Sequence, residues 1–455
     1  MGSACSSTSG DAEVTGTTAQ AAAAVEVPQV ERGERIDFGA APSFPTGPLS
    51  EDTTAALETF FGPTLADGIF LAEEYEALDT IRDTGDLRLA WLVADLLQLA
   101  RGSELQPRLL RAADELLGRT ADPLNPWGDI MDHLIAWDVP EPPEYVRYKS
   151  GIYTLVEPEW DELIVEHELM DWRFVSWGGV RIDDRAYDTT DEECNCIPGA
   201  DNPEVTDADS ADWLADDAVI FGVEINGEAR AYPRRIMEVR EMVNDTLGGR
   251  DFGMPYCTLC GSAQVFFTDQ VDGFERPILR TSGLLNRSNK VMYDLRTFSV
   301  LDTFLGTAVT GPLADANVTL PQHSVVTTTW GEWKAAHPDT TVLAEELALG
   351  RDFDFRNNRD ADGPIFPIGD VDDRLPVQED VIGVIRPGGE PIAFHAGVAN
   401  AMLRNGESVE VDGVVLVLDG GGVKAVDADG ADLGAHQSFW FAWSQFHPDT
   451  EVWTG

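Results

Sequence analysis

Two stretches of this chain repeat each other across a long interval, and that repeat limits the folds open to it. Residues 330–343 read WGEWKAAHPDTTVL and residues 440–453 read WFAWSQFHPDTEVW, an offset of 110 positions (330 against 440). Each has two tryptophans three apart, which share one face of a helix, followed by His-Pro-Asp-Thr. Proline cannot continue a helix and pushes the residue before it out of the α region, so each HPDT closes a helix and turns the chain into a strand. A weaker match pairs FGVEINGEARAYP at 221–233 with IGVIRPGGEPIAFH at 382–395, allowing one inserted residue. In the first of these, Asn226-Gly227 between two apolar runs predicts a two-residue hairpin. A short helix is predicted near 236–243, then a turn at Gly248-Gly249 and a strand into Tyr256. The expectation is two diverged copies of one β-rich unit, at 213–343 and 378–455, joined by a connector at 344–377.

Upstream the pattern changes. Ser50 is placed to cap a helix carrying Leu57, Phe60 and Phe61, and Asp86 opens DLRLAWLVADLLQLA, whose apolar residues recur too densely for an exposed helix. Further helices are predicted at 105–117 and 126–135. Residues 49–140 therefore read as an all-helical domain of short hairpins, resembling a HEAT-type array without a clean period and offering a surface for a protein partner. Residues 141–212 read as a mixed linker region. The fold class expected is α+β, a HEAT-like helical domain followed by the two-copy β-rich domain.

Residues 1–48 carry no hydrophobic period and are broken by Pro28, Pro42, Pro45 and Pro48, so they are expected to be a disordered tether. They begin GSACSSTSGDAEV after Met1, a small-residue tail behind a cysteine, similar to the mature end of an exported lipoprotein. Cys5 is then the candidate lipid anchor, and an extracytoplasmic location the expectation; an ordinary cytoplasmic tail is the alternative. A membrane would be met only through that anchor, since no window approaches the ~18 apolar residues of a spanning helix. With 31 Lys+Arg against 81 Asp+Glu the net charge is −50, which repels phosphate backbones and excludes nucleic acid as an expected partner. Only Lys149, Lys290, Lys334 and Lys424 are lysines. A surface this acidic and lysine-poor resembles that of proteins from salt-loving organisms, where salt screens the self-repulsion.

Chemistry can be argued at one stretch, PYCTLCGSAQVFF at 255–267. Three readings of its C-x-x-C stand. Cys257 and Cys260 can form a metal knuckle, completed by Cys194 and Cys196 around zinc or copper. They can instead be a redox-active pair with Arg240 supplying the stabilising cation, or simply structural disulfides of an oxidising compartment. Where the second copy should match CTLCGSAQVF it has VLDGGGVKAV, without cysteines, so the pair is expected to serve a function particular to the first copy. His337 and His447 recur in both copies and are expected to belong to the fold, each at a helix end where the dipole favours it.

The strings VIFGVEINGEARAYPRRIMEVREMVNDTLGGR, YCTLCGSAQVF, SGLLNRSNKVMYDLRT and TTTWGEWKAAHPDT resemble the bacterial and archaeal domain-of-unknown-function family 3179 over roughly residues 195–455. The resemblance brings no settled activity, but implies a protein often exported or lipid-anchored. It also marks departures. Similar members carry Trp-His-Glu where this chain has Val239-Arg240-Glu241, a proline where it has Thr258, and Trp-Ser where it has Leu301-Asp302. Arg240 cannot replace a histidine base or ligand, because a guanidinium stays protonated. Asn244, Asp245 and Asp294 lie inside the shared strings and are candidates to line the site. The functional expectation is a metal-binding or thiol-active protein centred on Cys257 and Cys260, with a non-catalytic binding module held by disulfides as its alternative.

Overall fold

The computed structural model describes residues 24–63, 65, 68, 70–189, 194–344 and 363–455. Cys5 lies outside the described residues. In the N-terminal part the chain forms helices α1 (Glu51–Phe61), α2 (Ala72–Asp83), α3 (Ala90–Leu99), α4 (Gln106–Leu117), α5 (Pro126–Ala136), α6 (Tyr145–Tyr153) and α7 (Trp160–Leu163). Ser50 caps α1 as expected, its hydroxyl accepting from the Thr53 N–H at 3.1 Å. Every residue of α3 from Ala90 to Gln98 is buried, which is why its apolar residues crowd all faces. The acid this forces inside, Asp95, is matched by the fully buried Lys149 of α6 at 2.6 Å and by the Tyr145 hydroxyl at 2.8 Å. Breaking such a buried pair from one side costs about 3–5 kcal/mol, because the other charge is left in an apolar core.

The remainder is β-rich. Its strands begin with β1 (Val175–Trp177), β2 (Ala200–Asp201), β3 (Val205–Asp207), β4 (Val219–Ile225) and β5 (Glu228–Pro233). After α8 (Arg234–Arg240) come β6 (Met242–Leu247), β7 (Arg250–Cys257), β8 (Ser262–Ala263), β9 (Val265–Phe267), β10 (Leu279–Asn286), β11 (Asn289–Asp294) and β12 (Val300–Asp302). Helix α9 (Gly311–Asp315), β13 (Gln322–His323), β14 (Val326–Thr329), α10 (Trp330–Ala336) and β15 (Thr341–Leu343) follow. The last part holds β16 (Asp380–Ile385), β17 (Pro391–His395), α11 (Ala396–Arg404), β18 (Val409–Val411), β19 (Val414–Asp419), β20 (Gly422–Val426), β21 (His436–Phe439), α12 (Trp440–Phe446) and β22 (Glu451–Trp453). These strands make five small sheets, ordered β1-β10-β11-β12, β13-β9-β7-β6-β2 with β8 on β7, β14-β4-β5-β15-β3, β21-β16-β17-β22 and β18-β19-β20.

Two of the sheets share one plan. In one, the antiparallel hairpin β4–β5 is flanked by β14 antiparallel to β4 and by β15 parallel to β5. In the other, β16–β17 is flanked by β21 antiparallel and β22 parallel in the same places. A glycine on the central strand makes room for the helix tryptophan: a Cβ on Gly222 would meet the Trp333 ring at 2.4 Å, and one on Gly383 the Trp443 ring at 2.0 Å. The indole N–H donates to the threonine of HPDT in both, Trp333 to Thr340 at 3.0 Å and Trp443 to Thr450 at 2.9 Å. Each histidine ring lies over its tryptophan with centroids 4.1 Å apart. The hairpin at Asn226-Gly227 has positive φ at both positions, +53° and +85°, as a primed two-residue turn requires.

Three expectations change. The helix near 236–243 stops at Arg240, because Glu241 takes φ +50° and residues 242–247 are drawn into pairing with β7. The helical core does not stop at residue 140 either: Tyr145, Trp160, Trp172 and Val175 join it, together with Leu284, Val291 and Tyr293 of the sheet beneath. Residues 24–48 are extended chain fixed by tertiary partners. Val25 exchanges two hydrogen bonds with the Asn405 side chain at 2.8 and 2.9 Å, Gly33 N–H donates to Asp373 O at 3.1 Å, and Trp137 Nε1 to Phe38 O at 3.1 Å. Among the described residues no helix is long and apolar enough to cross a membrane.

Candidate functional site: a buried dithiol

Strand β7 carries Cys257 inward and turns back through Thr258, Leu259, Cys260 and Gly261 into β8, with Cys260 N–H donating to Cys257 O at 3.2 Å. The last turn residue is glycine for two reasons. Its φ is +62°, and a Cβ there would sit 3.1 Å from the Phe439 ring. The turn docks on the end of β21 through a bond from Phe439 N–H to Cys260 O at 2.8 Å. Cys257 and Cys260 are 2% and 0% exposed, pack with Phe304, Phe439 and Trp440, and are free thiols with sulfurs 3.0 Å apart.

The two sulfurs see different surroundings. Cys257 Sγ receives the Lys290 backbone N–H at 3.4 Å and lies 3.9 Å from Ser288 O, while Cys260 Sγ faces two closer acceptors, Asn289 Oδ1 at 3.3 Å and Ser288 O at 3.5 Å. Acceptors around a thiol keep its proton; donors around a sulfur favour the thiolate. Burial pushes the Cys257 thiol up, but the bond from Cys260, the Lys290 ammonium and the Lys290 N–H outweigh it, so Cys257 lies below an ordinary thiol. Burial and then the neighbouring Cys257 hold Cys260 well above one. The pair is thus polarised, with the more acidic thiol at 257 and the proton held more tightly at 260.

Beside Cys257 opens a cavity of about 250 Å³, lined by Val239, Glu241, Thr258, Lys290 and Phe366 among others. Lys290 Nζ pairs with Glu241 Oε2, and Thr258 Oγ1 donates to Glu241 Oε1 at 3.0 Å. The cation acting on Cys257 is therefore Lys290, where Arg240 was expected; Arg240 is 1% exposed and its Nη1 reaches Pro198 O at 3.5 Å. Lys290 was legible only as one of four lysines in an arginine-dominated chain, and Glu241 only as the acid beside Arg240.

None of Asn244, Asp245 and Asp294 lines the cavity. Asn244 ties Asp201 to β10 through Leu279, Asp245 accepts from Tyr232 and Arg230, and Asp294 caps the turn after β11 at Thr297. The four-sulfur metal set is not assembled as expected. Cys194 and Cys196 are bonded to each other, which removes both thiolates, and the side chain gathered to them is Asp183 rather than Cys257 or Cys260.

Fold and site together define a protein with a helical layer on a β-rich body, enclosing a polarised dithiol beside a small cavity. The chain belongs to the family described as "Protein of unknown function (DUF3179)", which it matches over residues 194–434. That span contains both cysteine pairs and begins after the helical layer. No curated protein and no solved structure matches it.

Proposed function

We propose that this is an exported thiol-active protein in which Cys257 is the nucleophile and Cys260 the resolving thiol. The observation that carries the reading is the uneven environment of the pair, a backbone N–H donor on Cys257 and the two closer acceptors on Cys260. A small disulfide entering the cavity is attacked at one sulfur by the Cys257 thiolate. Its other sulfur leaves, and Cys260 gives up its proton and displaces the bound half, so a Cys257–Cys260 disulfide forms and the substrate departs as two thiols. Glu241 and Lys290 position the step: the carboxylate holds the ammonium beside the sulfur in a water-poor site. The Cys194–Cys196 bridge and the Cys5 tail both support an oxidising compartment outside the cytoplasm, with Cys5 as the lipid anchor. The shared plan of the two sheets supports two diverged copies of one unit, and the short helices α1–α6 support a HEAT-like array serving as a partner surface.

Iodoacetamide labelling of the full chain at pH 7, mapped by mass spectrometry, tests the reading. Cys257 should react about tenfold faster than an ordinary buried thiol and Cys260 should not react first; equal, slow labelling of both overturns it. A metal reading rests on the same two soft donors lying in one turn. Under it, protein purified without chelator holds about one zinc or copper, lost in Cys257→Ser.

A further inference from the structure

The bridge between Cys194 and Cys196 has little structural work to do. It spans one residue, so it closes a minimal loop and withdraws little freedom from the unfolded chain. Its position is more telling. Cys194 is half-buried and Cys196 fully buried, so the bridge runs from near the surface inward. Cys196 forms a β-bridge with Arg181, and the residues next to these two, Ile197 and Val180, line the same cavity as Cys257. The inner pair, by contrast, is sealed: at 2% and 0% exposure, under Phe439 and Trp440, its sulfurs are beyond the reach of another protein.

We propose that Cys194–Cys196 is the outer stage of a thiol relay whose inner stage is Cys257/Cys260, and that it passes electrons from the buried pair to a disulfide of a partner protein. This rests on the reading of the inner pair as thiol-active. The Cys257 thiolate attacks the Cys196 sulfur, the 194–196 bond breaks, and Cys194 leaves as a thiolate that takes a proton from solvent. Cys260 then attacks Cys257, and its proton goes to the departing Cys196. Two electrons have moved: the inner pair is now a disulfide, the outer a dithiol at the surface, open to oxidation by the partner's disulfide.

The sulfurs of the two pairs do not form one cluster, so exchange requires residues 194–199 to swing toward the cavity. The swing has to release bonds from Arg181 N–H to Asn195 O at 3.1 Å, Thr281 Oγ1 to Ile197 O at 2.8 Å, Arg185 to Gly199 O at 2.7 Å and Gly199 N–H to Asp183 at 2.8 Å.

The test starts from the fully reduced full-length chain and follows formation of the Cys257–Cys260 disulfide by quenched alkylation and peptide mapping. Two oxidants are compared, hydrogen peroxide, which is small enough for the cavity, and oxidised protein disulfide isomerase, which is not. The relay expects peroxide to oxidise the inner pair equally in wild type and in the Cys194→Ser/Cys196→Ser variant. It expects the protein oxidant to be slowed about tenfold or more by that variant. Equal rates with the protein oxidant overturn the relay while leaving the thiol chemistry of Cys257 standing. Failure of peroxide to form the inner disulfide in either protein sinks both. A Cys260→Ser variant gives a second readout, a trapped Cys257–Cys196 disulfide; its absence in folded protein counts against the relay.

Discussion

The turn between β7 and β8 and the turn between β19 and β20 both dock on a junction between a strand and a helix, and they differ in what they carry. Each leans on the strand-to-helix junction of the other half. The first accepts from Phe439 at Cys260 O; the second accepts from the Thr328 hydroxyl at Gly420 O, 2.6 Å away, with Gly420 pressed against Trp333. The second does this with two glycines between paired Asp419 and Gly422, the first with four residues between paired Cys257 and Ser262. Docking therefore needs only a tight turn. The added length in the first half is what brings a second sulfur beside Cys257.

Substitutions can break or sharpen this comparison. Trp333→Ala and Trp443→Ala should each cost about 3–5 kcal/mol in urea unfolding, and within ~1 kcal/mol of each other, since both empty the same indole-shaped space. Markedly unequal losses would show that the halves are held by different forces. The histidines should separate them next. Burial lowers His447 from 6.5 to about 4, so the unfolded chain binds its proton first and stability falls as pH drops through that window, by roughly 3 kcal/mol in all. His447→Gln should remove its own share of that slope and leave the share of His436, which burial and then the neighbouring His447 lower from 6.5 to about 3. His337→Gln removes instead a ring bonded to Asp419 at 2.6 Å.

Smaller effects follow. Gly222→Ala and Gly383→Ala should each cost about 1–3 kcal/mol, because the added methyl overlaps an indole ring in either half; calorimetry of the two single variants checks this. Lys290→Met removes the cation that favours the Cys257 thiolate, so the pH midpoint of its alkylation should move up and the rate at pH 7 fall about tenfold. The smallest change is expected from Cys257→Ala with Cys260→Ala, about 1 kcal/mol per site, since the β19–β20 turn docks without sulfur. A loss several times larger would return the pair to an architectural role.

What the sequence made legible is what depends on neighbours in the chain. The hairpin at Asn226-Gly227, the Ser50 cap, the all-round burial of α3 and the matched tryptophan helices follow from local backbone chemistry and periodicity. What escaped depends on partners far away. Residues 24–48 have no period because their bonds go to Asn405, Asp373 and Trp137. Helices α6 and α7 hide in an acidic, tryptophan-rich stretch whose partners lie in α3 and the β10–β11 sheet. At the site the cysteines announced themselves by spacing, whereas Glu241 and Lys290, 49 positions apart, meet only because β6, β7, β10 and β11 bring them to one cavity.

The bond from Phe439 to Cys260 also sets an order of events during synthesis. The cysteines leave the ribosome well before the segment that covers them, and at ordinary elongation rates that interval lasts several seconds to tens of seconds. Until β21 arrives, the two thiols stand open to oxidants, metals and other cysteines. Once β21 docks, Phe439 and Trp440 cover them.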